Sequence, residues 1–169
     1  MHNPERAATD LERLRLYLIT DRERFSQGKF LSAVRAALEG GVRALQLREK
    51  DLAPADLLQL AKRLRSLTRK HDALLFINDR ADIAAMSGAD GVHLTEKSVS
   101  ASDVVKAFPH LLIGVSTHDL EGARRAEKEG ADFITFSPIF ETPSKKKYGP
   151  PQGLDNLAQV TGSVHIPVL

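Results

Sequence analysis

The chain has 169 residues, with 24 Lys and Arg against 22 Asp and Glu, and a formal net charge of +2. This length is typical of one domain, and so small a net charge excludes a strongly basic nucleic-acid tail. The sequence contains no cysteine, which excludes disulfides, thiolate catalysis and thiolate metal sites. A hydrophobic fraction of 42% with 27% charged residues indicates a globular chain with a sizeable core and no membrane-spanning segment.

The N-terminal segment lacks the apolar core of a signal peptide, so a cytoplasmic location is expected. Residues 1–13 are polar and have no hydrophobic period, which predicts a loose arm. The domain itself is predicted to comprise residues 14–169, with ordered structure from Leu14 onward.

Short apolar runs alternate with helical patterns throughout this domain. The runs predicted to be buried strands are Leu16–Ile19, Ala44–Leu47, Leu74–Ile77, Gly91–Leu94, Leu111–Val115 and Phe133–Phe136. Between strands, Phe30–Leu38 and Ala55–Leu67 place apolar residues at intervals of three and four, as amphipathic helices do. Because no hairpin signal joins consecutive strands, the alternation predicts an α/β fold with a parallel sheet.

A glycine recurs just before three of the predicted strands, at Gly41, Gly88 and Gly130. Glycine at this place is typical of the left-handed residue that ends a helix, and the interval corresponds to about two βα units. This repetition favours a TIM-type (β/α)₈ barrel, with a doubly wound sheet as the alternative. The sequence contains no Gly-x-Gly-x-x-Gly or P-loop motif in support of that alternative.

The number of units is smaller than a complete barrel requires. A (β/α)₈ barrel has eight units in roughly 250 residues, whereas this chain provides about six and a half. The last residues, Ile166–Leu169, are interpreted as the start of a seventh strand. We therefore expect a barrel that is incomplete at its C-terminus, with an exposed strand edge that could favour a homo-oligomer.

Polar residues follow the predicted strands, at the edge where parallel α/β proteins place their functional sites. Arg48 and Lys50 follow the second strand, Asn78 and Asp79 the third, and Lys145 the sixth. Such a set could hold a diphosphate, with Asp79 coordinating Mg²⁺ bound to the same phosphates. For each residue taken alone, a solvated loop position or a helix cap is the alternative interpretation.

Five short motifs occur along the chain in a recognisable order and spacing. They are Gln46-Leu-Arg-Glu-Lys50, Ile77-Asn-Asp-Arg80, Gly88-Ala-Asp-Gly-Val-His-Leu94, Gly114-Val-Ser-Thr-His118 and Thr142-Pro-Ser-Lys145. Through them, the chain from Leu16 to Leu169 resembles the superfamily of thiamine phosphate synthases and thiazole tautomerases. The resemblance implies a TIM-type barrel. It also implies a synthase that joins an aminopyrimidine methyl diphosphate to a hydroxyethylthiazole phosphate, giving thiamine phosphate and diphosphate.

The resemblance also implies a role for individual residues. Gln46 would contact the pyrimidine, and Ser116 would lie beside the pyrimidine amine and the diphosphate. Asp79 would bind Mg²⁺, and Thr142 and Ser144 would bind the thiazole phosphate. The residues implied to bind the diphosphate are Arg48, Lys50, Asn78 and Lys145, of which Arg48, Lys50 and Lys145 would take part in catalysis.

Two positions keep other functions open. Ser98 stands where the synthase pattern has an aspartate that serves as a second ligand of Mg²⁺, and Glu96 lies two positions earlier. His118 resembles the catalytic histidine of thiazole tautomerases, which need a proton shuttle rather than a metal, although a helix-cap or loop role is the alternative. A member of the family that binds ligands without catalysis is a third hypothesis. The Asn78–Asp79 pair, suited to diphosphate and metal, favours the synthase.

The expected partners are therefore small phosphorylated pyrimidine and thiazole substrates. The run Lys145–Lys147 has no base-stacking aromatic residue nearby, which argues against nucleic acid as a partner. The histidines show no zinc spacing, and His93 alternates with apolar residues, which predicts a histidine packed in the strand rather than a metal ligand.

Overall fold

The computed structural model describes residues 12–26, 28–141 and 150–169. The chain divides into two compact units. The first unit runs as far as His93 and includes 108–112, and the second consists of Leu94–Ala107 and the chain from Ile113 onward.

The first unit is built on four parallel strands that follow one another in chain order. They are β1 (Tyr17–Ile19), β2 (Ala44–Leu47), β3 (Leu74–Asn78) and β4 (Gly91–Leu94), the last of which ends at the unit boundary. A doubly wound sheet reverses its strand order at a switch point, and these strands contain no such reversal. The predicted strands Ala44–Leu47 and Gly91–Leu94 are confirmed to the residue.

Three helices connect these strands: α1 (Phe30–Glu39), α2 (Pro54–Lys70) and α3 (Ala81–Ser87). Helix α2 begins with Pro54 in its first turn, where the missing N–H has no intrahelical partner to lose. It buries Leu57, Ala61 and Leu64 at intervals of four and three, and this is the periodicity that predicted the helix. Two short 3₁₀ turns, Glu12–Arg15 and Arg22–Arg24, flank β1.

The 3₁₀ turn Glu12–Arg15 begins two residues before Leu14, the predicted start of ordered structure. Leu14 is buried in the core, and Arg13 forms an ion pair with Asp72 at 3.1 Å. The rest of the predicted arm lies outside the described residues.

The second unit contains β6 (Phe133–Phe136), which pairs in parallel with β5 (Leu112–Thr117), and helices α4 (Ala101–Ala107), α5 (Leu120–Lys128) and α6 (Gly153–Thr161). Its core packs Ala123 and Ala126 of α5 against Ile134 and Phe136 of β6 and Val160 of α6.

The C-terminal residues extend the parallel pairing of β6, as predicted for the start of a seventh strand. Val168 forms a parallel bridge with Ile134, and the Leu169 N–H donates to the Ile134 carbonyl at 2.9 Å.

Strand β5 extends two residues beyond its predicted end, so Ser116 and Thr117 lie in the strand rather than after it. They remain in the sheet because Ser116 stands in register with Thr135, and the Thr117 carbonyl accepts a hydrogen bond from the Ser137 N–H at 3.3 Å. A shorter shift places Asn78 as the last residue of β3.

The three recurring glycines have the backbone conformation that the sequence predicts. Gly41, Gly88 and Gly130 have φ of 104°, 67° and 94°, each between a helix and the next strand. In two of these repeats an aspartate, to which the sequence analysis assigned no role, stands two residues after the glycine. Asp90 accepts from the Leu75 N–H at 2.8 Å, and Asp132 from the Ile113 N–H at 2.7 Å. Each of these carboxylates thus fixes its own strand to the beginning of the preceding one.

Helix length and hydropathy bear on membrane insertion. Among the described residues, every helix is too short or too polar to cross a bilayer.

Candidate active site

Exposure alternates over the residues just beyond the carboxyl end of β2. Gln46 is buried in the strand, Arg48 and Lys50 are exposed, and Glu49 between them is buried. Arg48 and Lys50, the two predicted anion ligands, are both exposed, and the side chain of neither bonds to any residue in the described ranges.

Gln46 belongs to a buried chain of hydrogen bonds within the first unit. Its Nε2 donates to Tyr17 Oη at 3.1 Å, and Tyr17 Oη lies 3.1 Å from His93 Nδ1. The Tyr17 and His93 rings also stack with their centroids 5.6 Å apart. Since Tyr17 Oη accepts from Gln46, its own proton is directed to Nδ1 of a neutral His93.

The protonation states of this chain are set mainly by burial. Burial raises the pKa of Tyr17, partly offset by its hydrogen bond with Gln46, and burial lowers the pKa of His93 to about 4. Both side chains are therefore neutral near pH 7. With its amide nitrogen committed to Tyr17, Gln46 has its amide oxygen as a hydrogen-bond acceptor.

Phe76 and Gly91 complete this part of the first unit. The Phe76 ring meets Tyr17 edge to face, with centroids 5.5 Å apart, and Phe76 stands in register with Gly91. A Cβ at Gly91 would lie 2.6 Å from the Phe76 ring and 2.4 Å from the Leu112 carbonyl oxygen. The glycine in Gly-Val-His-Leu94 thus makes room for the ring that supports Tyr17.

The end of β3 turns sharply at the predicted metal ligand. Asp79 has φ of 65°, and its N–H donates to the His93 carbonyl at 2.9 Å. A left-handed conformation is uncommon outside glycine, and strain of this kind concentrates at functional sites. Asp79 comes directly after Asn78, the last residue of β3, and its side chain is exposed.

The neighbouring arginine is engaged elsewhere. Arg80 donates to Asp82 at 2.8 and 2.5 Å, and this pairing is the main cause that raises the pKa of Arg80 and lowers that of Asp82. Arg80 therefore pairs mainly with Asp82 rather than with the adjacent Asp79 carboxylate.

The donors present are compatible with Mg²⁺ bound together with phosphate. Protein sites often hold this ion by one or two carboxylates plus substrate phosphate oxygens and waters. The exposed Asp79 provides one such carboxylate, and the part of the chain that the structure describes contains no cluster of three or more His, Asp or Glu that would form an all-protein cage.

The second unit contains Ser116 and His118 at the end of β5. Thr135 Oγ1 donates to Ser116 Oγ at 3.4 Å. His118 Nδ1 lies 2.5 Å from the Ser137 carbonyl oxygen, which can only accept, so Nδ1 carries the proton and Nε2 is the basic nitrogen of the neutral ring. The helix-cap alternative for His118 is wrong, because Asp119 is the N-cap of α5 and accepts from the Gly122 N–H at 2.6 Å.

Ser98 has a structural role in the loop after β4. Its Oγ accepts from the Thr95 N–H at 2.8 Å and lies 3.0 Å from Thr95 Oγ1, which closes a tight turn. Ser98, Glu96 and Ser116 border a cavity of about 200 Å³ in the second unit. Glu96 is exposed there, so its carboxylate is accessible to solvent.

Three predicted residues fall outside the described part of the chain. Thr142, Ser144 and Lys145 belong to residues 142–149, and their proposed contacts stay predictions. The sequence analysis assigned no role to three other residues at the site, namely Tyr17, Arg22 and Glu49. A polar residue inside an apolar strand, as at Tyr17, and an acid between two predicted cations, as at Glu49, were the available signals.

Comparison with known proteins identifies the family. The family model described as thiamine monophosphate synthase matches residues 16–169. A Geobacter sulfurreducens protein named as a candidate thiamine-phosphate synthase is 52% identical over 90% of this chain and 72% of its own length. A Pyrococcus furiosus protein named thiamine-phosphate synthase is 40% identical over 93% of this chain and 74% of its own.

A solved structure agrees with these sequence matches. It is titled thiamine phosphate pyrophosphorylase from Pyrococcus furiosus, and it superposes with a TM-score of 0.83 at 39% identity, covering 92% of this chain and 73% of that one. The match confirms the α/β fold of TIM type. The chain belongs to the thiamine monophosphate synthase family.

Proposed function

We propose that the chain is a thiamine phosphate synthase, a transferase that couples aminopyrimidine methyl diphosphate with hydroxyethylthiazole phosphate. Arg48 and Lys50 carry this proposal: two exposed cations just after the end of β2, in the same unit as Asn78 and Asp79. Cations of this kind that are not neutralised by neighbouring acids suit the binding of a polyanion.

The proposed reaction moves the pyrimidine methyl group from oxygen to nitrogen. The C–O bond to the diphosphate breaks, the electron pair leaves with the diphosphate, and the thiazole nitrogen forms the new C–N bond. The protein must therefore stabilise a departing anion and hold the nitrogen in line with the methyl carbon. Arg48, Lys50 and Lys145 would stabilise the anion, and Asn78 would donate a hydrogen bond to it.

Gln46 would orient the pyrimidine through its amide oxygen, which could accept a hydrogen bond from the amine of the ring. Its amide nitrogen is held by Tyr17, so the orientation of the side chain is fixed before substrate binds. Ser116 would lie by the same amine and the diphosphate, and Thr142 and Ser144 would bind the thiazole phosphate.

Asp79 would hold Mg²⁺ through its exposed carboxylate. Bound there, the ion would neutralise charge on the diphosphate as it departs. Glu96 is a candidate for the second carboxylate that Ser98 cannot supply. The substrates are small phosphorylated molecules, and the cytoplasmic location stays a prediction.

Thiazole tautomerase is a second candidate, favoured by the geometry of His118. The Nδ1 proton is directed to the Ser137 carbonyl, so Nε2 could accept a proton from a thiazole and return it. This chemistry needs neither Asp79 nor Lys50, which separates the two hypotheses.

Three variants test these assignments. Lys50→Ala and Asp79→Asn should each lower thiamine phosphate formation by about a hundredfold or more, because Lys50 would stabilise the departing diphosphate directly and Asp79 would hold the Mg²⁺ that does so. Lys62→Ala, at an exposed position of α2, is the matched control and should retain full activity. His118→Asn should leave coupling largely intact. The tautomerase would be favoured if the native chain catalyses tautomerisation but not coupling, and if His118→Asn alone among these variants loses tautomerisation. Diphosphate binding without turnover would favour a binding protein.

A further inference from the structure

The loops that follow β1 and β2 are joined through Arg22. Its backbone N–H lies 3.0 and 3.2 Å from the two carboxylate oxygens of Glu49, and its Nε lies 3.8 Å from Glu49 Oε2. Its guanidinium also forms an ion pair with Asp51. One arginine therefore contacts the two acidic residues that alternate with Arg48 and Lys50 in the sequence.

The location of Glu49 makes this pairing more than a surface contact. Only 3% of the Glu49 side chain is exposed, whereas the neighbouring Arg48 and Lys50 side chains are exposed. A buried carboxylate needs a charged or hydrogen-bonding partner, and Arg22 supplies both. Arg22 therefore holds the one buried side chain that lies between the two exposed cations in the sequence.

A second contact fixes the same strand end. Thr20 Oγ1 accepts from the Arg48 N–H at 3.0 Å, and the Thr20 N–H donates to the Gln46 carbonyl at 2.9 Å. The backbone that leads into the first cation is thus held by the loop after β1, and the Glu49 side chain between the two cations is held by Arg22.

We infer that Arg22 is a positioning residue for the proposed diphosphate site: by pairing with Glu49 and Asp51, it keeps these carboxylates from neutralising Arg48 and Lys50. This inference rests on the proposed function, in which Arg48 and Lys50 bind the diphosphate. Without Arg22, the exposed Asp51 carboxylate would be attracted to the adjacent Lys50, and an incoming anion would have to displace it.

The test measures binding of inorganic diphosphate to the 169-residue chain by titration calorimetry at low ionic strength. Arg22→Gln should weaken binding by about fivefold, the effect of one uncompensated carboxylate beside an exposed cation. Arg13→Gln is the matched control. Its side chain is 30% exposed against 32% for Arg22, and it also pairs with an aspartate, Asp72. Arg13 precedes β1, whereas Arg22 follows it. Arg13→Gln should therefore change diphosphate binding by less than about twofold.

Restoration by a second substitution distinguishes positioning from general stability. Adding Asp51→Asn to Arg22→Gln removes the released carboxylate and should return the affinity to within about twofold of the native value. Arg22→Lys retains the charge and should lose clearly less affinity than Arg22→Gln. Melting temperatures of all variants show whether each one folds.

The outcomes separate the inference from the proposed function. Equal affinities of Arg22→Gln and Arg13→Gln, or failure of Asp51→Asn to restore binding, would overturn the role of Arg22 while leaving the diphosphate site intact. A loss in Arg22→Lys as large as in Arg22→Gln would also overturn it, and where Arg22→Gln does not fold, a loss of about fivefold or more in a folded Arg22→Lys would do so. If the native chain binds no diphosphate, the proposed function and this inference both fail.

Discussion

The buried histidine of the Tyr17–His93 pair should make the stability of the first unit depend on pH. Burial holds the pKa of His93 at about 4, against an ordinary value of 6.5. Between these two values the unfolded chain binds a proton at this residue and the folded chain does not. Folding stability therefore rises with pH across this window and falls as the solution is acidified from about pH 6.5 to 4.

The magnitude follows from the difference between the two pKa values. Each pKa unit corresponds to about 1.4 kcal/mol, so full acidification through the window should lower the free energy of unfolding by roughly 3 kcal/mol. At pH 5 the loss should already be about 2 kcal/mol. A single side chain would thus account for a large part of the marginal stability that is typical of a domain.

His93→Gln provides the comparison that isolates this effect. The amide oxygen of glutamine can accept the proton of Tyr17 Oη, and glutamine does not titrate. Urea unfolding at pH 7 and pH 5 should show the native chain losing about 2 kcal/mol more than His93→Gln between the two conditions. Parallel pH profiles for the two proteins, or a His93 titration near pH 6.5 by NMR, would refute the buried neutral pair.

Two further predictions concern the packing that supports the site. Gly91→Ala should lower the free energy of unfolding by about 2 kcal/mol or more, because its Cβ would overlap the Phe76 ring and the Leu112 carbonyl, which cannot move far. Gly162→Ala, whose Cβ would approach nothing closer than 3.3 Å, should cost much less in the same urea titration, and equal costs would contradict this account. Asp132→Ala removes the acceptor of the Ile113 N–H and should cost about 2 kcal/mol. Asp132→Asn keeps an acceptor oxygen and should recover part of that loss in thermal unfolding, whereas no recovery would show that this hydrogen bond is not the cause.

Much of the fold could be predicted from local signals in the sequence. Buried strands of parallel sheets appear as apolar runs, and β2 and β4 were located without error because glycine or polar residues border them. The helix-ending glycines, such as Gly88, could be predicted because few other residues tolerate a positive φ. The end of β5 was missed, since Ser116 and Thr117 are polar but remain paired with β6.

The candidate site was predictable only in part. Arg48, Lys50 and Asp79 follow strands and Asn78 ends one, and the location of strand ends is enough to propose them. Contacts between residues far apart in the sequence cannot be obtained in this way. Tyr17 and His93 are separated by 76 positions, and no pattern within either strand indicates the other.

The central claim is the coupling reaction itself, and its most direct test is to incubate the purified 169-residue chain with the aminopyrimidine methyl diphosphate and the thiazole phosphate, with and without Mg²⁺. The account predicts thiamine phosphate and diphosphate in equal amounts, formed only when Mg²⁺ is present and lost in Asp79→Asn. Absence of product from a chain that is folded by circular dichroism, with both substrates and Mg²⁺ supplied, would contradict it.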